Sequence, residues 1–498
     1  MAVSMVSTHA SCSGVSGSRG SSCHSAAACG AGALGTAGTF DPPASAAPAM
    51  MSTAAVTSRR TGGLRCAELG LVIHSCRKAV NGAMSLRFDH STNNVDAPRR
   101  LSIGSLLIVG LVAMAAFSSV QDTAVQPGID VWLDREFAPL EGRRVGLVTN
   151  ITGRTADGRS TVDVLASDPR IELAALFSPE HSFFVNREGD IDGDRHATTG
   201  LPVHSLYGET RRPTTEMLDG LDALVFDIQD IGTRIYTYAT TLAYCMEEAA
   251  AAGVPIVVLD RPNPIGGVHV GGPVLDESQI SFVGYAPIPV RHGMTIGELA
   301  LYFNVERAIG ADLTVIPVAG WSRDTWFDET GLEWTNPSPN IRNPTQALLY
   351  PALGPLEWTD ISVGRGTDEP FEWFGAPWMD GARVAAALNA AALPGLRATH
   401  KSLTPDASVH ADEVSSGVFL TVTNRITFDS GRTLATIAAV LASDYGDAWE
   451  RSRIVGLWGD ESIEAQLDAG LSASEIVSSW QSSLDEFMQT RAQYLLYD

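Results

Sequence analysis

Leu221-Asp-Ala-Leu-Val-Phe-Asp-Ile-Gln-Asp-Ile-Gly-Thr-Arg-Ile-Tyr-Thr-Tyr238 begins as a strand-sized apolar run and ends in a polar loop. An apolar stretch from Tyr238 to Ala252 follows, closed by Gly253, and then Val254-Pro-Ile-Val-Val-Leu259. The outer pieces have the length and the Val, Ile and Leu content of strands. The middle piece has the length of a helix, with glycine at its carboxyl end. Strand, helix, strand, with both strands apolar throughout, predicts a parallel sheet covered on both faces.

The same pattern runs upstream. Arg144-Val-Gly-Leu-Val-Thr-Asn150 reads as a strand, Ser160 to Ser167 as a helix, and Ile171-Glu-Leu-Ala-Ala-Leu-Phe177 as a second strand. Each strand runs into polar residues: Asn150, Ser178-Pro-Glu-His181, Asp227-Ile-Gln-Asp230 and Asp260-Arg-Pro-Asn263. In parallel sheets the ligand crevice lies beyond the carboxyl ends of the strands. Four polar tips in series therefore predict a site there; the competing use of Asn, Ser and Asp is helix N-capping. No G-x-G-x-x-G follows the first strand and no G-x-x-x-x-G-K-[ST] occurs, so neither dinucleotide nor nucleoside triphosphate is expected, nor any other cofactor.

The fold class read from this pattern is α/β, with a Rossmann-like parallel-sheet domain over 127–290 and a smaller α/β (α+β) domain over 291–498, a cleft between them. In the second half Leu313–Val318 and Gly417–Thr423 read as strands, and Ala382–Ala392, Leu434–Tyr445 and Ser474–Arg491 as helices. Six of the ten tryptophans, Trp321, Trp326, Trp334, Trp358, Trp373 and Trp378, fall in a Pro- and Gly-interrupted stretch that reads as loop. Aromatic faces beside a crevice suit sugar rings; sealing an interface between domains is their other use.

The chain has 498 residues, 34 basic against 57 acidic, and a formal charge of −23. The first 120 residues hold 9 basic and 4 acidic residues, leaving 25 and 53 for residues 121–498, a net charge of −28. Such a surface repels nucleic acid, which is excluded as a partner. Cys12, Cys23, Cys29, Cys66 and Cys76 lie early and Cys245 alone lies beyond, so the folded part is neither a disulfide scaffold nor a cysteine metal site. No H-E-x-x-H or His-x-His pattern supports a metal.

Residues 1–98 are rich in Ser, Gly, Ala and Thr and read as a disordered extension or as sequence upstream of a start at Met84. Residues 99–120 read as a signal peptide or membrane anchor: Arg99 and Arg100 precede the uncharged run Leu101–Phe117, and small residues stand at Ala116 and Ser118. That run is at the lower limit for a spanning helix. Export is the expectation, to the periplasm, cell envelope or exterior, with residues 101–117 a membrane tether if they are not removed.

Among the polar groups, Glu180 sits at a strand end beside His181, where burial would raise its pKa and suit it to donate a proton near neutral pH. Asp227, Asp230 and Arg234 can orient hydroxyls and hold a carboxylate, and Asp260, Arg261 and Asn263 offer the same groups on the next strand. Arg291-His292 and the segment from Glu357 to Arg365-Gly-Thr367-Asp368 are further polar clusters. Glycoside hydrolysis uses two carboxyl groups, or one with help from the substrate, and Glu180 with Glu357 on a facing loop would satisfy it.

These motifs carry a resemblance. Gly146-Leu-Val-Thr-Asn150, Ser178-Pro-Glu-His181, Asp227 through Tyr238, Asp260-Arg-Pro-Asn-Pro-Ile-Gly-Gly267, Arg291-His-Gly-Met-Thr-Ile-Gly-Glu298, Pro337-Ser-Pro-Asn340 and Gly364-Arg-Gly-Thr-Asp368 resemble the NamZ-type exo-β-N-acetylmuramidases. The resemblance implies a cleft enzyme that removes terminal N-acetylmuramic acid from the non-reducing end of peptidoglycan fragments, with Glu180 as catalytic residue and Glu357 opposite it. It implies substrate contacts at Asn150, His181, Asp227, Asp230, Asp260, Asn263, Arg291, His292, Asn340 and Thr367, a pocket shaped by Tyr236 and Tyr238, and a lactyl-carboxylate partner among Arg234, Arg261 and Arg365. The chain departs from the family pattern at Ser182-Phe-Phe-Val-Asn186, where Gly-Phe-Arg-Gly is usual, and at Trp358, where Gly is usual. A non-catalytic muropeptide-binding protein is the alternative; an esterase or amidase lacks its G-x-S-x-G elbow here.

Overall fold

The computed structural model describes residues 124–181, 195–208 and 210–498, all in one compact unit. The extension, the export segment with Leu101–Phe117, and Ser182–Asn186 lie outside the described residues. Among the described residues no helix is long and apolar enough to cross a membrane.

Strands β1 (Arg144–Thr149), β2 (Glu172–Ser178), β3 (Val203–Ser205), β4 (Ala223–Asp227) and β5 (Ile256–Leu259) come first. A two-stranded antiparallel ribbon, β6 (Gly271–Val274) with β7 (Pro289–Arg291), precedes β8 (Leu313–Ile316). The main sheet has six parallel strands in the order β3-β2-β1-β4-β5-β8, so its sixth strand lies past residue 290. The strand order reverses direction between β1 and β4, the usual place for a crevice in such sheets.

Alternation along the strands explains the two-sided burial. Val145, Leu147, Val225, Val257 and Leu259 enter one apolar cluster with Trp132 and Leu165. Their neighbours Val148, Leu224, Phe226, Ile256 and Val258 enter the other. That second cluster continues without a break into Leu349, Phe371, Phe374, Val418 and Trp458, so one face of the sheet and the second half of the chain share a core. The second half carries an antiparallel sheet of β9 (Trp373–Ala376), β10 (Leu396–Leu403) and β11 (Ser415–Val422) in the order β10-β11-β9, covered by helix Gly381–Ala390, against which helix Ser430–Tyr445 packs. The C-terminal stretch read as one helix is two, Ala473–Ser479 and Gln481–Arg491, broken at Trp480.

The helix Tyr238–Ala252 packs beneath the shared core and is stopped by Gly253 at φ +69°. The loop that enters it turns at Gly232, φ +80°, where an added Cβ would lie 2.4 Å from Asn263 Oδ1 and 2.8 Å from Ile265 Cγ1. Left-handed backbone and close approach both require glycine there. Gly232→Ala is expected to cost about 2 kcal/mol or more. A urea titration checks this; a loss of only a few tenths would show that the loop relaxes freely.

Candidate active site

Strand β2 ends at Ser178, and Pro179 turns the chain so that Glu180 and His181 are buried at its tip. His181 is held at φ +69°, an uncommon conformation for a side chain with a Cβ, and non-glycine residues so held cluster at functional sites. Glu180 is 3% exposed, and Thr237 Oγ1 donates to its Oε2 at 2.7 Å. Thr237 immediately precedes the helix Tyr238–Ala252, so the loop beyond β4 delivers it to the tip of β2. Burial raises the Glu180 pKa above the usual glutamate value, opposed by hydrogen bonds from Thr237 and Tyr207 and by the Arg211 charge.

The second carboxyl comes from the other half. Helix Pro344–Leu353, capped by the Asn343 side chain, runs into a short 3-10 turn, Gly354–Leu356, and Glu357 follows. Burial works to raise the Glu357 pKa, but the ion pair with Arg365 outweighs it and the net direction is down. Tyr350 lies seven residues back, with its hydroxyl 3.5 Å from Glu357 Oε2. Burial holds its phenol well above the ordinary pKa, and the charges of both Glu357 and Glu180 add to that. The two carboxyl groups thus act on one phenol while their own pKa values move in opposite directions.

His181, Tyr236, Tyr350, Glu357, Arg365, Phe371 and Ser338 line a single pocket that joins the halves of the chain. The free space between them is about 20 Å³, room for one water. Burial and the Arg365 charge lower the His181 pKa to about 3, so its ring is neutral at working pH. Asn150 Nδ2 donates to the Tyr238 hydroxyl at 2.9 Å, which donates to Pro337 O at 2.6 Å, tying the tip of β1 to the Pro337–Asn340 motif. Tyr236 meets Tyr238 edge-on at 4.9 Å and Tyr350 at 6.1 Å between ring centres.

Most other expected ligand groups hydrogen-bond within the protein, while Asp230 Oδ1, His292 Nε2, and Arg291 Nε and Nη1 are buried without a hydrogen-bond partner. Asp227 takes two bonds from Arg261, at 2.6 and 2.9 Å, and one from Thr161 at 2.5 Å. Asp260 accepts from Thr295 Oγ1, from the Gly297 amide at the start of helix Ile296–Glu306, and from the Tyr497 hydroxyl. Asn263 braces Met294 O and the Ile265 amide. Arg291 donates to Ile265 O. Thr367 donates to Gly364 O, and the Asn340 backbone N–H donates to Ser338 Oγ. Asp230 is fully buried, accepts from the Gly232 amide, and is pushed up to about 7 by burial. His292 Nε2 lies 3.7 Å from it, its ring neutral because burial and three neighbouring arginines lower its pKa to about 3.

Arg234 is the clearest departure from the sequence reading. Its guanidinium lies against Gly459 and donates to the carbonyls of Pro273, Ile288, Leu457 and Trp458, at 2.7–3.2 Å. Both terminal nitrogens are engaged, so it braces the two halves instead of waiting for a carboxylate. The tryptophans also differ from expectation. Trp373 is a buried strand residue, Trp358 packs over Gly456, and Trp378 bonds Asp360. None of the six lines the pocket with Glu357; tyrosines do. A separate cavity of about 170 Å³ beside Arg154, Gln229, Arg261 and Trp334 lies where the strand order reverses and contains neither acid. Among the described residues no group of three or more His, Cys, Asp or Glu side chains is arranged to hold a metal ion.

Arg234→Met leaves four carbonyls without their donor and is expected to cost about 3 kcal/mol or more, with Arg234→Lys recovering only part because an ammonium cannot span the set. Unfolding midpoints in urea measure it. A methionine variant of unchanged stability with a raised KM for an acidic sugar would return Arg234 to the substrate.

Comparison with known proteins agrees with this geometry. Residues 145–345 match the family described as exo-β-N-acetylmuramidase NamZ, N-terminal, and residues 348–497 its C-terminal counterpart. The peptidoglycan β-N-acetylmuramidase NamZ of Bacillus subtilis (strain 168) is 43% identical over 403 residues, covering 79% of this chain and 97% of the relative. Two crystal structures of DUF1343 family proteins from Bacteroides fragilis NCTC 9343 share the fold. One superposes with a TM-score of 0.70 at 36% identity, the other with 0.63 at 30%, each covering 75% of this chain and 99% of its own. Both halves of the family are present in order and the B. subtilis relative aligns over nearly its whole length, so the chain belongs to the NamZ exo-β-N-acetylmuramidase family.

Proposed function

We propose that this chain is a glycosidase that removes terminal N-acetylmuramic acid from the non-reducing end of peptidoglycan fragments, with Glu180 as the proton donor. Family membership and the B. subtilis relative support the activity. The observation that carries the assignment of roles is the divergence of two buried carboxyl groups that both act on Tyr350, Glu180 upward beside the pocket and Glu357 downward within its lining. Titratable pairs whose environments separate them in this way divide acid and base roles between them.

The Glu180 proton goes to the glycosidic oxygen as the bond to the sugar's anomeric carbon breaks, and the bonding electrons leave with that oxygen. Positive charge then develops on the sugar ring, where the Glu357 carboxylate, kept ionised by Arg365, offsets it. Water adds to the anomeric carbon and its proton returns to Glu180. Neutral His181 can accept or donate a hydrogen bond at the pocket without adding charge. Export to the envelope belongs to the same reading, since the basic flank, apolar run and small residues of 99–118 fit a signal segment and the substrate lies outside the cytoplasm.

Purified full-length protein should release free N-acetylmuramic acid from a β-muramide, and Glu180→Gln should slow this by about 10²- to 10⁴-fold with the fold intact. A folded wild-type chain that binds the muramide without cleaving it would favour the binding-protein alternative. Full activity in Glu180→Gln would remove only the acid role. The pH profile of kcat/KM should be bell-shaped. Glu180 works protonated, so activity falls as pH rises through its raised pKa. Glu357 works ionised, so activity falls as pH drops through its lowered pKa. Arg365→Gln should move the acidic limb to higher pH and leave the alkaline limb in place.

A further inference from the structure

The substrate proposed above is an acid: muramic acid carries a lactyl carboxylate on the carbon-3 oxygen. The protein that binds it carries a net charge of −28 over residues 121–498. Drawing an anion into an acidic protein requires a local cation with donors to spare. Several arginines near the site are already engaged, and the unpartnered donors of Arg234 and Arg291 are buried. Arg365 is paired with Glu357, Arg261 with Asp227, and Arg212 with Glu247 and Glu248. Arg234 has both terminal nitrogens engaged by four carbonyls.

Arg211 differs. It is exposed, and among the described residues it has no carboxylate partner and no hydrogen-bond acceptor. Ring faces hold it instead: its guanidinium carbon is 4.2 Å from the Phe282 ring centre and 5.8 Å from that of Tyr207. Aromatic faces fix the plane of a guanidinium and leave its edge, with the N–H donors, free for a planar anion. Tyr207 is the residue that also hydrogen-bonds Glu180, and the Arg211 charge reaches that carboxyl. The cation therefore stands one tyrosine away from the acid. The lactyl group stands across one sugar ring from the glycosidic oxygen that Glu180 would protonate, so a muramide places its carboxylate on the same side of the acid as a cation that reaches Glu180.

We infer that Arg211 is the receptor for the lactyl carboxylate, and that it makes this site select muramides with a free carboxyl over neutral N-acetylglucosaminides and over muramides whose lactyl group is amidated. The inference rests on the glycosidase reading for its substrate, and on the Phe282–Tyr207–Glu180 geometry for its place. A planar guanidinium can meet a carboxylate through two parallel hydrogen bonds, which a neutral amide cannot return.

The test compares a chromogenic β-muramide with its lactyl methylamide in wild type, Arg211→Gln and Arg211→Lys, with thermal unfolding confirming that each variant folds. Wild type should favour the free acid by about 10- to 100-fold in kcat/KM. Arg211→Gln should lose most of that preference by slowing the acid far more than the amide, and Arg211→Lys should keep part of it. If Arg211 serves only to tune Glu180, the glutamine variant will change both substrates equally and shift the alkaline limb of the pH profile, with the preference intact; that overturns the inference. A wild-type chain that binds both compounds without cleaving either removes the glycosidase reading, and the same ratio taken from Kd values by calorimetry still decides Arg211. Failure to bind either compound overturns both.

Discussion

The buried guanidinium of Arg234 holds the site together. It leaves the loop after β4, passes between the ribbon β6–β7 and the short helix Val455–Trp458, and bonds carbonyls on both. An unpaired buried carbonyl is costly, and a charged donor without acceptors costs more, so each side fixes the other. The pocket depends on that closure. His181 and Tyr236 come from the first half, and Tyr350, Glu357 and Arg365 from the second. Separating the halves would hydrate Glu180 and Glu357 together, and hydration would return both carboxyls toward the same ordinary pKa, ending the division between them.

That division arises from unequal compensation of burial. Both acids are removed from water, and removal alone raises a carboxyl pKa. Glu180 receives hydroxyl hydrogen bonds and a cation one residue removed, which are weaker than its desolvation. Glu357 receives a guanidinium in direct contact, which is stronger than its desolvation. Two glutamates of identical chemistry thereby have their pKa values moved in opposite directions. The tyrosines around them suit such a site, since burial keeps their phenols protonated as neutral donors beside the ionised group.

The sequence made the sheet legible because its strands are short apolar runs with polar tips, and the tip that carries Glu180 could be read from Ser178-Pro-Glu-His181 alone. It could not show which polar atoms were already engaged. Arg234 looked available because two of its acceptors, Leu457 and Trp458, are more than 220 residues away along the chain. Asp227 and Arg261 looked like two ligands because their pairing crosses between neighbouring strand tips. Tyr350 was missed because it belongs to no polar motif: it sits in an apolar helix whose start is marked only by Asn343-Pro344. Arg211 was missed for a related reason, since a charge in a loop becomes informative only when the charges around it prove to be occupied. The tryptophans erred the other way, because a Pro- and Gly-interrupted stretch can still hold a strand, and Trp373 lies in it.

The near absence of lysine from residues 121–498 takes on structural meaning in this light. Lys401 is the only one, and every other basic residue there is arginine. Coding bias alone could produce that, yet the fold uses what only arginine supplies. Arg234 spans four carbonyls and Arg491 two, deep between segments distant in sequence. A lysine so placed would have one nitrogen to share and would lose its proton more readily on burial. Guanidinium keeps its charge in the interior and directs several donors in a fixed plane, so it can brace backbone that β-strands and helices leave unpaired. The same property lets an exposed arginine, held over two aromatic rings, remain a cation in a protein whose overall charge is strongly negative.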